Sequence, residues 1–238
     1  MRWSCLTLGA LALAACLNKN GAASNAGARS ASDRPPSLDV RALGEDAVRY
    51  RLVPDGRTER DTTTWTVTRR AEPGSRGLAL QVMSSVSRGD TAVDSVLFDA
   101  RTLIPLWEHA HGRESFAVHF TQTLITGWLR EPGSSARDLH ASTRGFAYSA
   151  TMDNVVVRSL PLAPRYQTVL PFWDGDRLEL DTVRVRPLGA PGTGAWVVDF
   201  VEPYAVETLW IDRATRRVAR HEYVYTRDGS RSHVVTER

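Results

Sequence analysis

The chain has 238 residues, a formal net charge of +3 and only two cysteines, and 42% of its residues are hydrophobic. Most of the cations are arginines scattered among Asp and Glu, where a nucleic-acid binder would gather them on one face, so nucleic acid is excluded as a partner. With two cysteines there is no disulfide framework to read.

The first element is the apolar run from Cys5 to Ala15, preceded by a short start with one Arg. It is about half the ~20 residues a membrane-crossing helix needs, and its layout is that of a secretory signal peptide over residues 1–15. It closes on Leu13-Ala14-Ala15-Cys16, which resembles the lipobox of bacterial lipoproteins. That resemblance implies that Cys16 becomes the first residue of the mature chain and carries a diacylglycerol, with palmitate-type acylation. Two or three acyl chains hold a protein stably at a bilayer where one does not. Leu17, where an Asp would mark inner-membrane retention, implies the periplasmic face of the outer membrane if the cell has one. Cys5 then leaves with the signal and Cys16 is blocked, which rules out a disulfide, a thiol catalyst and a cysteine metal site together.

Residues 16–36 are small and polar without apolar period, and read as a flexible linker. One domain is expected over 37–238. SLDVRAL at 37–43 could form a capped turn with Ser37 as N-cap. From there period-two alternation dominates. Val48, Tyr50 and Leu52 share a face, as do Trp65 with Val67, then Leu78, Leu80 and Val82, then Phe116, Val118 and Phe120, then Trp196, Val198 and Phe200. Turn sequences such as PDG at 54–56, EPGS at 72–75 and RDGS at 227–230 punctuate them. The expectation is all-β with minor α: about ten to twelve antiparallel strands, with one short helix starting at Asp153 and stopped by Pro161.

SVLFDARTLIPLWEHAH and TLWIDRATRRVARHEYV both run strand, Asp, tight turn with Thr, strand. Both read as hairpins in which the Asp carboxylate fixes the turn. If Gly112-Arg113 is a two-residue turn, His111 pairs with Glu114, His109 with Phe116 and Trp107 with Val118, and His119 points to the opposite face. His109 and His111 are the tempting metal pair, but this register denies them a third imidazole. Asp174-Gly175-Asp176 reads as a turn and GAPGTG at 189–194 as a hairpin loop without phosphate-loop chemistry. No cofactor or metal is expected, and no serine-hydrolase G-x-S-x-G is present.

YRLV near the start, FDARTLIPLWE, RSLPLAPRYQTVLPFW at 158–173 and ETLWIDRATRRVARHE resemble a family of uncharacterised β-rich secreted bacterial proteins, similar in fold to the Lol lipoprotein carriers. The resemblance implies a strongly curved antiparallel sheet forming an incomplete β-barrel, with short helices over its concave face and an apolar ligand, a lipid or lipoprotein acyl chain, held there without catalysis. It supplies no catalytic residues.

The segment 158–173, broken by Pro161, Pro164 and Pro171, is the candidate lid. Leu160, Leu162, Tyr166, Leu170, Phe172, Trp173, Trp196, Val198 and Phe200 are the candidate pocket residues. The chain therefore reads as a monomeric, lipid-anchored envelope protein that binds lipid. The rival reading is a structural or protein-interaction module with a filled core, and a hydrolase comes third.

Overall fold

The computed structural model describes residues 35–40, 46–55, 63–71, 74, 77–87, 90–112, 115–143, 145–175, 177–189, 194–226 and 229–237. The leader, Cys16 and the linker up to residue 34 lie outside them, as do Arg113, Glu114, Asp176 and residues 190–193.

The strands run β1 (Asp46–Pro54), β2 (Thr63–Ala71), β3 (Leu78–Ser87), β4 (Asp90–Asp99), β5 (Pro105–His111), β6 (Ser115–Phe120), β7 (Leu124–Arg130), β8 (Arg137–Ser142), β9 (Tyr148–Ser149), β10 (Thr168–Asp174), β11 (Glu179–Gly189), β12 (Ala195–Val201), β13 (Ala205–Asp212), β14 (Val218–Tyr225) and β15 (Arg231–Glu237). Among the described residues one α-helix, α1 (Asp153–Ser159), follows a 3-10 turn over Ala150–Met152. The described residues form fifteen strands, more than the expected ten to twelve.

All fifteen belong to one sheet, in the order β8-β7-β6-β5-β4-β3-β2-β1-β15-β14-β13-β12-β11-β10-β9. Two meanders are therefore sewn together where β1 pairs with β15. Every neighbouring pair is antiparallel except β9 and β10, which run parallel. Laid flat, such a sheet would be ~67 Å wide at ~4.8 Å per strand. Yet its edges, β8 and β9, are joined by residues 143–147, which reach at most ~21 Å from Ser142 to Tyr148. A sheet with that connection has to curl.

It curls into an overlapped roll that does not close by hydrogen bonds. One core cluster joins Val96 and Phe98 of β4 to α1 and to Phe172, Val185, Val198, Phe200, Leu209 and Ile211. A second joins Ala110, Phe116, Val118, Ile125, Leu129 and Leu139 of the β5–β8 arm to Ala147 and Trp173. β10 thus has core on both faces: Leu170 and Phe172 in the first cluster, Trp173 in the second. Gly175 lies where the arms meet, and a Cβ there would collide with the Phe116 ring.

The twin turns form as read. Asp99 Oδ1 accepts from the Arg101 and Thr102 N–H groups, both at 2.9 Å, and Asp212 Oδ1 from Ala214 N–H at 3.1 Å and Thr215 N–H at 2.7 Å. Each turn ends on a left-handed residue, Leu103 at φ 58° and Arg216 at φ 58°. Each has a register shift in the same place, at Leu97/Phe98 and at Trp210/Ile211. The two hairpins are one structural solution used twice.

Two expectations are corrected. The lid is not a lid over 168–173: those residues are β10, paired with β11 along its length and with β9 at Phe172 and Trp173. Pro171 is tolerated because it lies just before the stretch where β9 joins, on a side still open. Second, His109 pairs with Ala117 and Trp107 with His119, one residue off the expected register. Partners across a ladder share a face, so His119 stands on the face of His109 and His111, not opposite it. The turn expected over 37–43 lies partly outside the described residues: 35–39 are irregular, Val40 is in a 3-10 turn, and 41–45 are not described. The Asp39 N–H instead donates to the Ser159 carbonyl at 2.7 Å.

Candidate functional site

α1 is short and holds three consecutive valines, which cost side-chain freedom in a helix. Tertiary contacts stabilise it. Val155, Val156, Val157, Arg158 and Ser159 are all buried. Ser159 Oγ returns a hydrogen bond to the Val155 carbonyl at 2.8 Å. Leu160 is extended at φ −62°, ψ 150°, the conformation that a following proline imposes, and the helix ends there. The helix is packed inside the roll, where Val155, Val156 and Val157 join the first core cluster.

Polar residues from both meanders suspend this plug. From β3, Gln81 Nε2 donates to the Thr151 carbonyl at 2.6 Å, and Arg69 of β2 supports Gln81 Oε1 at 3.2 Å. From β5, Glu108 Oε1 accepts from Thr151 Oγ1 at 2.8 Å. From the second meander, Glu207 of β13 meets the Asp153 side chain at the start of α1. Glu207 also bonds His221 Nε2 of β14 at 2.8 Å and is hydrogen-bonded to Tyr223. Glu108 and His221 occupy matching places in the two duplicated hairpins, each on the strand after its Asp turn. Each copy therefore provides one inward polar residue to the plug's setting.

The Asp153–Glu207–His221–Tyr223 group is the densest buried titratable cluster among the described residues. Glu207 and His221 are 4% exposed each. Burial disfavours every charged form there. It pushes the Asp153 carboxyl up to about 7, helped by nearby Glu207 and opposed by His221 and the Asn154 N–H. It raises Glu207 above the carboxylate range despite hydrogen bonds from Tyr223 and Asp153. It holds His221 down to about 4, against the pull of Asp153. Glu202, half-buried beside Tyr204, is raised by burial and then by Glu207, and Tyr223 is raised well above its usual value by burial first. Burial thus works against every charged form in a cluster whose members are linked by hydrogen bonds.

Of the candidate pocket residues, Leu160, Leu162, Leu170, Phe172, Val198 and Phe200 converge in one core cluster, with Tyr166 and Trp196 half-buried at its rim. Phe172 packs edge-on to Phe200 at 5.2 Å and tilted on Tyr148 at 5.6 Å. Trp173 faces the other core. These residues are brought together, but against each other and α1. Two buried polar atoms, Tyr148 Oη and Trp173 Nε1, have no hydrogen-bond partner among the described residues. The histidines His109, His111 and His119 are exposed on the outer face, and His109 lies edge-on to Trp128 at 6.3 Å. Among the described residues no three His, Cys, Asp or Glu are placed to hold a metal. Asp174 serves its turn, accepting from Arg177 N–H at 3.0 Å, and also accepts from the Tyr204 hydroxyl at 3.3 Å.

Sequence reasoning missed the titratable cluster. Its one signal was Glu207, which stands on the same alternation as Ala205, Leu209 and Ile211 and so inherits their inward face. A shallow cavity of about 280 Å³ on the outer side is lined by Asp55, Arg220, Glu222 and His233 among others. No described helix is long and apolar enough to cross a membrane. Comparison of the chain with protein-family models, with curated proteins and with solved structures finds no match in any of the three.

Proposed function

We propose that this chain is a lipid-anchored envelope protein, held by Cys16, whose β domain works as a structural or protein-interaction module through its outer surface. The observation that carries the choice is α1. A helix buried from Val155 to Ser159, packed with Leu160, Leu162 and Phe172, takes the volume that a bound acyl chain would need. The linker would let the domain stand off the bilayer and reach partners.

The test is native mass spectrometry of the full-length protein extracted from membranes in detergent, with cell fractionation of Cys16→Ser alongside. The expected species carries covalent lipid on Cys16 and nothing else apolar, and Cys16→Ser moves to the soluble fraction. A stoichiometric non-covalent lipid would overturn the module reading. A Cys16→Ser protein that stays in the membrane fraction would overturn the anchor. A second reading, an acyl chain seated in the concavity with α1 moved aside, draws support from Tyr148 Oη in the same core cluster as α1, since an ester carbonyl would satisfy such a donor.

A further inference from the structure

We propose that the end of the roll where the linker enters is a docking surface for an anionic phospholipid bilayer. The inference rests on the anchored-module reading for which membrane is met, and deepens it by giving the domain a second, non-covalent hold on that membrane.

Strand register collects at one rim what the sequence spreads out. The Asp99 turn joins the end of β4 to β5, and the Asp212 turn joins the end of β13 to β14. Leu78 at the start of β3 pairs with Asp99, and Ala195 at the start of β12 with Asp212. Ala71 at the end of β2, Asp46 at the start of β1 and Glu237 at the end of β15 continue the rim between the two turns. Residues 160–166 join it: Arg216 Nη1 donates to the Leu160 carbonyl at 3.3 Å, and Leu162 and Tyr166 share a core cluster with Ala100 and Ile104 of the first turn. The linker enters here too. The Asp39 N–H bonds the Ser159 carbonyl at the end of α1, and Leu38 and Val40 pack on the same cluster.

The rim is cationic. Arg70, Arg101, Arg165, Arg213 and Arg217 are exposed on it. The acids with described side chains there are Asp39, Asp99 and Asp212, and the last two give their Oδ1 atoms to turn N–H groups. Arg70, Arg165, Arg213 and Arg217 form no ion pair with a described residue, whereas at the opposite rim Arg137 is paired with Glu131 at 3.5 Å and Arg177 with Asp181 at 2.9 Å. Amphipathic side chains lie among these cations. Arg213 stacks on Trp196, 4.1 Å from the ring centroid, Tyr166 is half-buried and Leu188 is 55% exposed. That mixture matches a bilayer surface, where phosphates accept from guanidinium forks and aromatic rings sit at headgroup depth. Attachment favours the same partner. Residues 16–36, read from sequence as a coil, span ~25 Å r.m.s., which keeps this rim close to the surface that holds Cys16.

Co-sedimentation of the full-length Cys16→Ser chain, which carries no covalent lipid, tests this with two kinds of vesicle: equal parts phosphatidylglycerol and phosphatidylcholine, or phosphatidylcholine alone. Partitioning onto the anionic vesicles is expected to exceed that onto the neutral ones at least thirtyfold at ~0.1 M salt, and to come within threefold of it at ~0.5 M, where the charges are screened. The double variant Arg165→Gln, Arg217→Gln removes two exposed cations from the rim and should cut that preference at least tenfold. Arg130→Gln with Arg137→Gln makes the same charge change at the opposite end, a strand's length of ~25 Å away and beyond the ~10 Å screening length, and should alter it less than threefold. Equal partitioning onto the two kinds of vesicle would overturn the docking surface, as would a preference that survives ~0.5 M salt or an equal loss in both double variants. The assay uses no anchor, so its failure leaves the Cys16 reading standing. Conversely, a contact released by ~0.5 M salt does not hold Cys16→Ser in a salt-washed membrane fraction, so retention there still counts against the anchor alone.

Discussion

Val156→Ala tests whether α1 is core or cover. Val156 is fully buried. The change removes two methyl groups, ~1.6 kcal/mol of transfer free energy at ~0.8 kcal/mol each. It also leaves a void of roughly 50 Å³, worth ~1.2 kcal/mol at ~24 cal/mol per Å³. Alanine returns about 0.5 kcal/mol through its better helix propensity. The sum is a loss of about 2 kcal/mol, or ~5 °C in Tm for a domain of about 200 residues. Val86, on β3 and 46% exposed, is the control: Val86→Ala should stay within about 0.5 kcal/mol. Urea unfolding followed by tryptophan fluorescence and by circular dichroism reads both. If Val156→Ala costs no more than Val86→Ala, α1 is not seated in the concavity, and the argument that the roll is filled collapses.

Gly127 lies mid-strand in β7, where a Cβ would collide with the Ala117 carbonyl oxygen and lie 2.8 Å from its carbon. Because backbone must move, Gly127→Ala is expected to cost about 3 kcal/mol, the top of the usual overpacking range, and a cost below 1 kcal/mol would mean that β6 and β7 are not this close. The Asp153 and Glu207 carboxyls hold protons in the folded state that the unfolded chain releases above pH ~4. Their stabilisation is therefore complete at acid pH and is lost as pH rises through their folded values, about 7 for Asp153. His221, lowered to about 4, works in the other direction between about 4 and 6.5 but counts for one proton against two. The urea midpoint should thus be higher at pH 5 than at pH 8, with a shallower dependence in Glu207→Gln; a midpoint that rises toward pH 8 contradicts this. Asp99 is opposed by its partial burial but held below the carboxylate range by the Thr102 and Arg101 N–H groups. Asp99→Ala should destabilise by about 1 kcal/mol at pH 7 and by progressively less as acid titrates the wild-type carboxylate; a loss that stays the same throughout an acid titration would show that the turn does not depend on the ionised form.

Alternation made much of this architecture readable. Trp196, Val198 and Phe200 share a face as expected, and the inner pair is buried. The two Asp turns were legible because an Asx turn is local chemistry: Asp99 and Asp212 bond N–H groups two and three residues on. The helix from Asp153 was legible because a proline stops it. What failed was decided at longer range. Pro171 disguised β10, since whether a proline fits a strand depends on which neighbour has arrived beside it. The pairing of β5 with β6 slipped by one because the turn type, not the strand pattern, sets hairpin register. The carboxyl–histidine cluster joins a helix to two strands distant in sequence, and no local pattern pairs Asp153 with Glu207.

The seam between β1 and β15 has a consequence for how the chain reaches this state. The strand nearest the start of the domain waits for the strand nearest its end, and until β15 arrives β1 offers one bare row of N–H and C=O groups. The β1–β8 meander forms from neighbouring segments, so it can assemble first and fast, whereas the seam is the most non-local contact in the fold and sets a slow final step. In that interval the open edge of β1 is a template for another copy of the same chain. Refolding followed by pulsed hydrogen exchange is therefore expected to protect β1–β8 before β12–β15, with association that rises with protein concentration.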